Sequence, residues 1–174
     1  LLSRGLGDVY KRQVIGTLFL SSLAGYSLAM HRFKLNLLVF AMFIAGNFVP
    51  YQILMIPVRN ISIELGMYNS HMGLIIFHIA FQTGFCTFFL RNFIKELPFE
   101  LIEAARADGA TEWTIYRKII IPLTIPALAA LGVLEFTFIW NDYFWALILT
   151  QGDTVKPITV GLDAVSYTHL RAHE

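Results

Sequence analysis

The chain alternates long apolar runs with short polar gaps, and the apolar runs decide which elements are predicted. Four runs carry few or no charged residues: 14–30, 35–58, 73–90 and 123–149. A helix that crosses the bilayer core needs about 20 apolar residues, within a range of about 17 to 25. The pattern therefore predicts an all-α fold, a polytopic transmembrane helical bundle with four spans.

Basic residues between the runs predict which ends of the spans face the cytoplasm. The gaps after the first and third runs together hold Arg32, Lys34, Arg91, Lys95, Arg106, Arg117 and Lys118. The gap after the second run holds only Arg59, and the segment after the fourth run begins with only Lys156. Because lysine and arginine accumulate in short cytoplasmic loops, segment 91–122 is predicted to be a cytoplasmic loop.

Composition agrees with a membrane protein and excludes several other classes. Of the 174 residues, 56% are hydrophobic and 14% are charged, whereas soluble domains carry about 25% charged residues. A formal net charge of +1 gives no reason to expect a nucleic-acid partner. Cys86 is the single cysteine and lies inside an apolar run, so neither a disulfide framework nor a thiolate metal site is expected.

The two ends of the chain depart from the apolar pattern. DVYKRQ lies near the start and SYTHLRAHE at the end, and both resemble translated adapter sequence more than folded protein. Segments 1–13 and 166–174 are therefore expected to be non-native tails that do not contribute to the fold. The predicted domain spans 14–165.

The polar segment 96–123, ELPFELIEAARADGATEWTIYRKIIIPL, predicts two short helices joined at a glycine. Pro98 suits the first helical turn, and Gly109 suits the left-handed position just past a helix end. Thr111 is a good N-cap for the second helix, which is expected to stop at Pro122.

The first of these helices has two different faces. At the helical period, Pro98, Leu101, Ile102 and Ala105 share the inner face, and Glu100, Glu103, Ala104 and Ala107 share the outer one. Glu103 can also pair with Arg106 three residues on. Acids set among alanines allow another surface to approach closely, so periodicity leaves two readings open: a docking helix or an inert amphipathic loop.

The same segment carries a family resemblance. EAARADGA, followed nine residues after Gly109 by IIIP, resembles the EAA signature of the membrane subunits of binding-protein-dependent ABC importers. ELPFELIEAA, WNDYFWALIL and KPITVGL resemble the carbohydrate-importer permeases, including the second permease of the maltose and glycerol-3-phosphate systems. The resemblance covers about 14–165, and Ile121 departs from it where leucine is usual.

The resemblance implies a mechanism and a set of partners. The loop would dock on a cytoplasmic ATPase dimer through Glu103, Ala104, Ala105, Asp108, Gly109, Ala110 and Pro122. Other implied partners are a second permease, an extracytoplasmic solute-binding protein facing the loop around Lys156 and Pro157, a carbohydrate substrate and membrane lipid. Family members usually have six spans, so the chain is expected to hold four of six and to reside in a bacterial or archaeal cytoplasmic membrane.

No enzymatic activity or cofactor is expected of this chain itself. It contains no GxxxxGK[ST] phosphate-binding sequence, so ATP hydrolysis is expected from the partner. A monosaccharide, an oligosaccharide, a polyol and glycerol phosphate all remain open as the substrate.

Polar residues inside the apolar runs are candidates for function, because burying them in a membrane is costly. The candidate translocation path comprises Glu135, Asn141, Asp142, His78 and Gln82. Glu135 and Asp142 are seven residues apart and would share one face of the fourth span, whereas His78 and Gln82 continue into an aromatic stripe. Alternatively, Asn141 and Asp142 lie at the outer interface, and His78 and Gln82 bond neighbouring helices.

Two other functions remain open at this point. An ion-coupled secondary transporter would use Glu135 and Asp142 as ion or proton sites, although it would leave the 91–122 loop unexplained. A membrane anchor would tolerate neutralisation of both residues. In the first span, Ser21, Gly25 and Ala29 form a ridge of small residues that is expected to pack within the bundle.

Overall fold

The computed structural model describes residues 2–151, with side chains from residue 7 onward. In this part of the chain the regular elements are all helical, which confirms the all-α prediction. The helices are α1 (Leu2–Met30), α2 (Asn36–Ala45), α3 (Met55–Glu64), α4 (His71–Lys95), α5 (Phe99–Ala107), α6 (Glu112–Ile115), α7 (Ile121–Trp140) and α8 (Phe144–Leu149).

Three helical stretches within the described part are long and apolar enough to cross a membrane. They are Gly7–Met30 in α1, His71–Lys95, which is α4, and Glu112–Trp140, which runs from α6 through α7. α1 and α4 include the first and third predicted spans. Long apolar helices satisfy their backbone hydrogen bonds internally, as a segment in lipid requires.

The second predicted span, 35–58, is wrong as a single helix. α2 continues into a short 3-10 turn, Gly46–Phe48, and the chain then turns until α3 begins at Met55. Val49 is extended, with φ −75° and ψ 120°, because the residue before a proline is disfavoured in the helical region. Pro50 therefore divides this apolar run into two short helices.

The sequence predicts that the second loop helix stops at Pro122, but in the structure the helix continues past this residue. The helix from Glu112 to Trp140 is continuous because a π-helical segment, Tyr116–Ile120, precedes the proline. The N–H of Ile121 donates to the carbonyl of Tyr116, five residues back. This wider turn changes the hydrogen-bond register where Pro122 lacks a donor.

The fourth predicted span, 123–149, also differs from the structure. The helix ends at Trp140, and a new helix, α8, begins at Phe144. The Asp142 carboxylate accepts hydrogen bonds from the backbone N–H groups of Trp145 and Ala146, both at 3.2 Å. Asp142 thus caps α8, as short polar side chains at helix N-termini do.

α1 packs closely along α4 at the ridge of small residues. A Cβ added to Gly25 would lie 3.1 Å from both the Leu90 Cβ and the Arg91 backbone nitrogen. The Ser21 hydroxyl donates to the Thr83 carbonyl at 3.3 Å. As expected, this ridge serves packing between helices.

Part of the segment expected to lie outside the fold is packed into it. Val9, Tyr10 and Gln13 are buried, and the Gln13 side-chain amide donates to the Leu74 carbonyl at 3.2 Å. These residues continue the buried side of α1 by helical periodicity. The non-native origin of 1–13 stays a prediction, and 166–174 lie outside the described residues.

The connections alternate between the two ends of the bundle. At one end, His31 after α1 lies 3.5 Å from the Glu112 carboxylate in the loop between α4 and α7. At the other end, the Asn69 N–H donates to the Leu149 carbonyl at 2.9 Å. The two gaps rich in basic residues therefore lie at the same end, as the charge pattern predicts.

Candidate functional site

The loop between α4 and α7 contains the glycine turn that the sequence predicts. Gly109 has φ +80°, its N–H donates to the Arg106 carbonyl, and the Ala110 N–H donates to the Ala105 carbonyl, both at 3.0 Å. This pair of bonds is the Schellman arrangement at a helix C-terminus, with Asp108 as the C-cap. The Thr111 hydroxyl accepts from the Thr114 N–H at 3.3 Å and caps α6.

The faces of α5 follow the prediction in part. Ile102 is 1% exposed and packs with Tyr26, Ile115 and Tyr116 in an apolar cluster, against which Ala105 and Ala110 also pack. Glu103, Ala104 and Asp108 are exposed. Pro98 and Leu101 were predicted on the inner face, but both are exposed, Leu101 by 49%. α5 therefore presents both acidic and apolar side chains outward.

Glu112 joins α5 to the end of α1, a role that the sequence analysis missed. Arg106 donates to its carboxylate twice, from Nε at 2.8 Å and from Nη2 at 3.2 Å. The Tyr26 hydroxyl donates to the same carboxylate at 2.5 Å. The hydrogen bonds that Arg106 itself donates to Glu112 raise the pKa of Arg106 above its usual value.

The predicted pairing of Arg106 with Glu103 is replaced by this contact. Arg106 and Glu112 are six residues apart across a turn, which is not a helical spacing, so periodicity could not identify them. Pro122, the last predicted coupling residue, lies at the start of α7, beyond α5 and the turn that together hold the other six.

Four of the five candidate path residues line one cleft of about 650 Å³ at the opposite end of the molecule. His78 and Gln82 come from α4, and Asn141 and Asp142 come from the turn between α7 and α8. Aromatic side chains line the same cleft, among them Phe81, Phe85, Tyr143 and Trp145. The cleft therefore combines planar polar groups with aromatic faces.

A close polar contact joins two of these residues across the cleft wall. The His78 Nε2 lies 3.2 Å from the Asp142 Oδ2, and both side chains are largely buried. The Trp145 ring packs on Phe77 with 4.1 Å between the ring centroids. These contacts hold α8 against α4, so Asp142 has a structural role as well as a place in the cleft.

Glu135 does not line this cleft with the other four candidates. Its side chain is fully buried, and the Cys86 thiol donates to its Oε1 at 3.2 Å. Because α7 ends at Trp140, Asp142 does not continue the helical face of Glu135 as predicted. Within the residues that the structure describes, no group of three or more His, Cys, Asp or Glu side chains could hold a metal ion.

Long apolar helices joined by a polar two-helix loop at one end define a polytopic membrane protein. Residues 18–168 match the family described as binding-protein-dependent transport system inner membrane component, and the chain belongs to this family. It is thus an inner-membrane component related to ABC transporter permeases.

Comparison with individual proteins agrees with this assignment. A probable ABC transporter permease protein of Pyrococcus horikoshii is 40% identical over 140 residues, covering 80% of this chain and 51% of that protein. The lactose transport system permease protein LacG of Rhizobium radiobacter is 36% identical over 150 residues, covering 86% of this chain and 54% of that protein.

A solved structure shares the fold. The crystal structure of a bacterial ABC transporter involved in the import of the acidic polysaccharide alginate matches with a TM-score of 0.80 and 25% identity. The match covers 91% of this chain and 55% of that chain. This chain spans about half the length of the curated relatives it matches. None of these comparisons supports the ion-coupled alternative.

Proposed function

We propose that this chain is part of a permease subunit of an ABC importer for carbohydrates, and that its 91–122 loop transmits the closure of an ATPase dimer to the membrane helices. The observation that carries the proposal is the form of the loop. α5 buries Ile102 and exposes Glu103 and Ala104, and Gly109 sets its angle to the next helix.

The chemistry of α5 suits a protein cleft as its partner. Exposed Phe99 and Leu101, 48% and 49% accessible, would lose contact with water on docking, which is favourable in proportion to the apolar area buried. Glu103 would supply a polar contact at the edge of that surface, and Ala104 leaves the helix backbone open to close approach. The other proposed partners are a second permease and an extracytoplasmic solute-binding protein.

The cleft lined by His78, Gln82, Asn141 and Asp142 is proposed as part of the translocation path. Hydroxyl groups of a sugar can exchange hydrogen bonds with amides, imidazole and carboxylate, and its apolar C–H faces can pack on the aromatic rings. Lactose and arabinooligosaccharides appear in the names of related permeases, which favours a carbohydrate here. Glu135 is not included, because it is fully buried and does not line the cleft.

A disulfide cross-link tests the docking of the loop. Glu103→Cys in the transporter assembled in membranes, with the ATPase encoded beside it carrying cysteines along its surface cleft, is expected to cross-link in a yield that changes with ATP. Glu64→Cys is the matched control, because Glu64 is also an exposed acid but lies at the end of α3, towards the opposite end of the bundle. Native Cys86 is fully buried and should not react.

Two results would contradict this proposal. Absence of a cross-link from Glu103→Cys and from neighbouring exposed loop positions would show that the loop is an inert amphipathic segment. An equal yield from Glu64→Cys would place the loop and the α3 end on the same side of the membrane.

A further inference from the structure

Glu112 is the residue at which the docking helix α5 is tied by polar contacts to a membrane helix. Its carboxylate binds Arg106, in the last turn of α5, and Tyr26, near the end of α1. The His31 Nε2, just after α1, lies 3.5 Å from the same carboxylate. Glu112 thus contacts two elements besides its own. Its hydrogen-bond partners, Tyr26 in α1 and Arg106 in α5, lie 86 and 6 residues away in the sequence.

The other contacts between α5 and the bundle are of a different kind. Ile102 packs in an apolar cluster with Tyr26, Ile94 and Ile115, and such packing is non-directional. It can keep α5 close to the bundle while allowing it to rotate or slide. Two parallel hydrogen bonds from a guanidinium to a carboxylate fix both distance and angle. The orientation of α5 relative to α1 therefore depends on Glu112.

Neighbouring contacts extend this attachment along α1 and into the bundle. The Tyr116 hydroxyl, in the π-helical segment after α6, is hydrogen-bonded to the Ser22 hydroxyl at 2.7 Å. One turn away on α1, Gly25 lies against the backbone of Leu90 and Arg91 in α4. A displacement of the loop would thus reach α1 through hydrogen bonds, and α4 both through α1 and through the packing of Ile102 on Ile94.

We propose that Glu112 is a positioning residue that makes α5 and the loop end of α1 move as one body. The inference rests on the proposed docking of α5, and it names the membrane helix that receives the motion. Glu112 need not touch the ATPase. Because Glu112 and Arg106 are half-exposed, and exposed ion pairs add little to stability, the role is in geometry and not in folding.

The first test measures the geometry without an ATPase. Spin labels on Ser27→Cys in α1 and Ala107→Cys in α5, both exposed positions, report the distance distribution between the two elements in the chain placed in lipid nanodiscs. Glu112→Gln is expected to broaden this distribution. Glu96→Gln, an exposed acid in the same loop, is the matched control and should leave the distribution unchanged.

A charge exchange separates positioning from loss of local folding. Arg106→Glu combined with Glu112→Arg restores an opposite-charge pair at the same two positions and is expected to narrow the distribution again. An unchanged distribution in Glu112→Gln would overturn the proposal. A broadening that the exchange does not reverse would also overturn it, because the change would then come from local unfolding.

The second test measures coupling in the assembled transporter. Glu112→Gln is expected to raise the ATP hydrolysed per sugar transported about fivefold, at the low end of coupling between distant sites. The nucleotide-dependent cross-link from Glu103→Cys should persist in this variant. A persistent cross-link with an unchanged ratio would overturn only this inference, whereas no cross-link in the parent protein would overturn the proposed function.

Discussion

At the residue scale, the loop turn depends on the backbone of Gly109. Its φ of +80° lies in the left-handed region, and a Cβ added there would meet no atom within 4 Å. Space is therefore not the reason for glycine at this position. The reason is the backbone conformation, which costs an L-residue with a side chain roughly 1 to 2 kcal/mol.

This requirement predicts that Gly109→Val uncouples transport from ATP hydrolysis. A β-branched residue is poorly tolerated at positive φ, so the angle between α5 and α6 should change and α5 should no longer transmit motion. Transport and ATPase rates measured together in proteoliposomes check this. Gly46→Ala is the control, because Gly46 also has open space but a φ of −56°. If transport by Gly109→Val stays fully coupled to ATP hydrolysis, the turn between α5 and α6 is not the part of the loop that transmits motion.

Asp142 shows how one residue can serve structure and a candidate site together. Asp142 is a candidate for the path because an acid within an apolar run is costly to bury. In the structure it binds His78 and caps α8. These polar contacts offset the cost of burying the carboxylate. The burial of Asp142 therefore has a structural explanation, although the residue also lines the cleft.

At the scale of elements, prolines and close helix contacts decide where the apolar runs bend. Pro50 divides the second run, whereas Pro122 is accommodated by the π-helical segment before it.

The 3-10 end of α2 approaches α4 closely at Gly84, where an added Cβ would lie 2.6 Å from the Phe43 carbonyl oxygen and 3.0 Å from the Asn47 Nδ2. α2 is thus held to α4 through a glycine.

Gly84→Ala is therefore expected to push α2 away from α4. Because the Cβ would collide with a backbone carbonyl and not with a flexible side chain, the expected loss is about 1 to 3 kcal/mol of unfolding free energy. Thermal unfolding in detergent, followed by circular dichroism, measures it as a lower midpoint. Gly132→Ala is the matched control, since its Cβ would lie 3.5 Å from Leu18 Cδ1, an ordinary contact. Equal midpoints for the two variants would show that α2 is free to shift.

At the scale of the whole molecule, the cleft exists because three helices meet. α4 supplies His78 and Gln82, the end of α7 supplies Phe138, the turn after it supplies Asn141, and α8 closes the site with Trp145. The polar contact between His78 and Asp142 and the packing of Trp145 on Phe77 hold α8 in place. A path for a polar solute through apolar helices needs this kind of internal polar surface.

We expect Gln82→Ala and Asn141→Ala each to raise the KM for sugar transport about fivefold, since one lost hydrogen bond is worth about 1 kcal/mol. Uptake of labelled sugar by the assembled transporter gives the KM, and its ATPase rate at saturating sugar should stay near that of the parent. Asn92→Ala is the control, an exposed amide on the same helix as Gln82 but outside the cleft. An unchanged KM in both cleft variants would exclude these amides from the path.

By itself, the sequence determined the class of the protein, most of the long helices and the glycine turn of the loop. Bilayer thickness sets the length of an apolar run. The left-handed turn at Gly109 and the helix cap at Thr111 depend only on neighbouring residues. The tertiary structure decided which side chains meet. Tyr26 with Glu112 and His78 with Asp142 are brought together by packing between distant segments, whereas Arg106 meets Glu112 across the glycine turn. Glu135 packs against Cys86 of α4 and does not line the cleft. Helix periodicity describes one element at a time, so it could predict which faces are polar but not which faces touch.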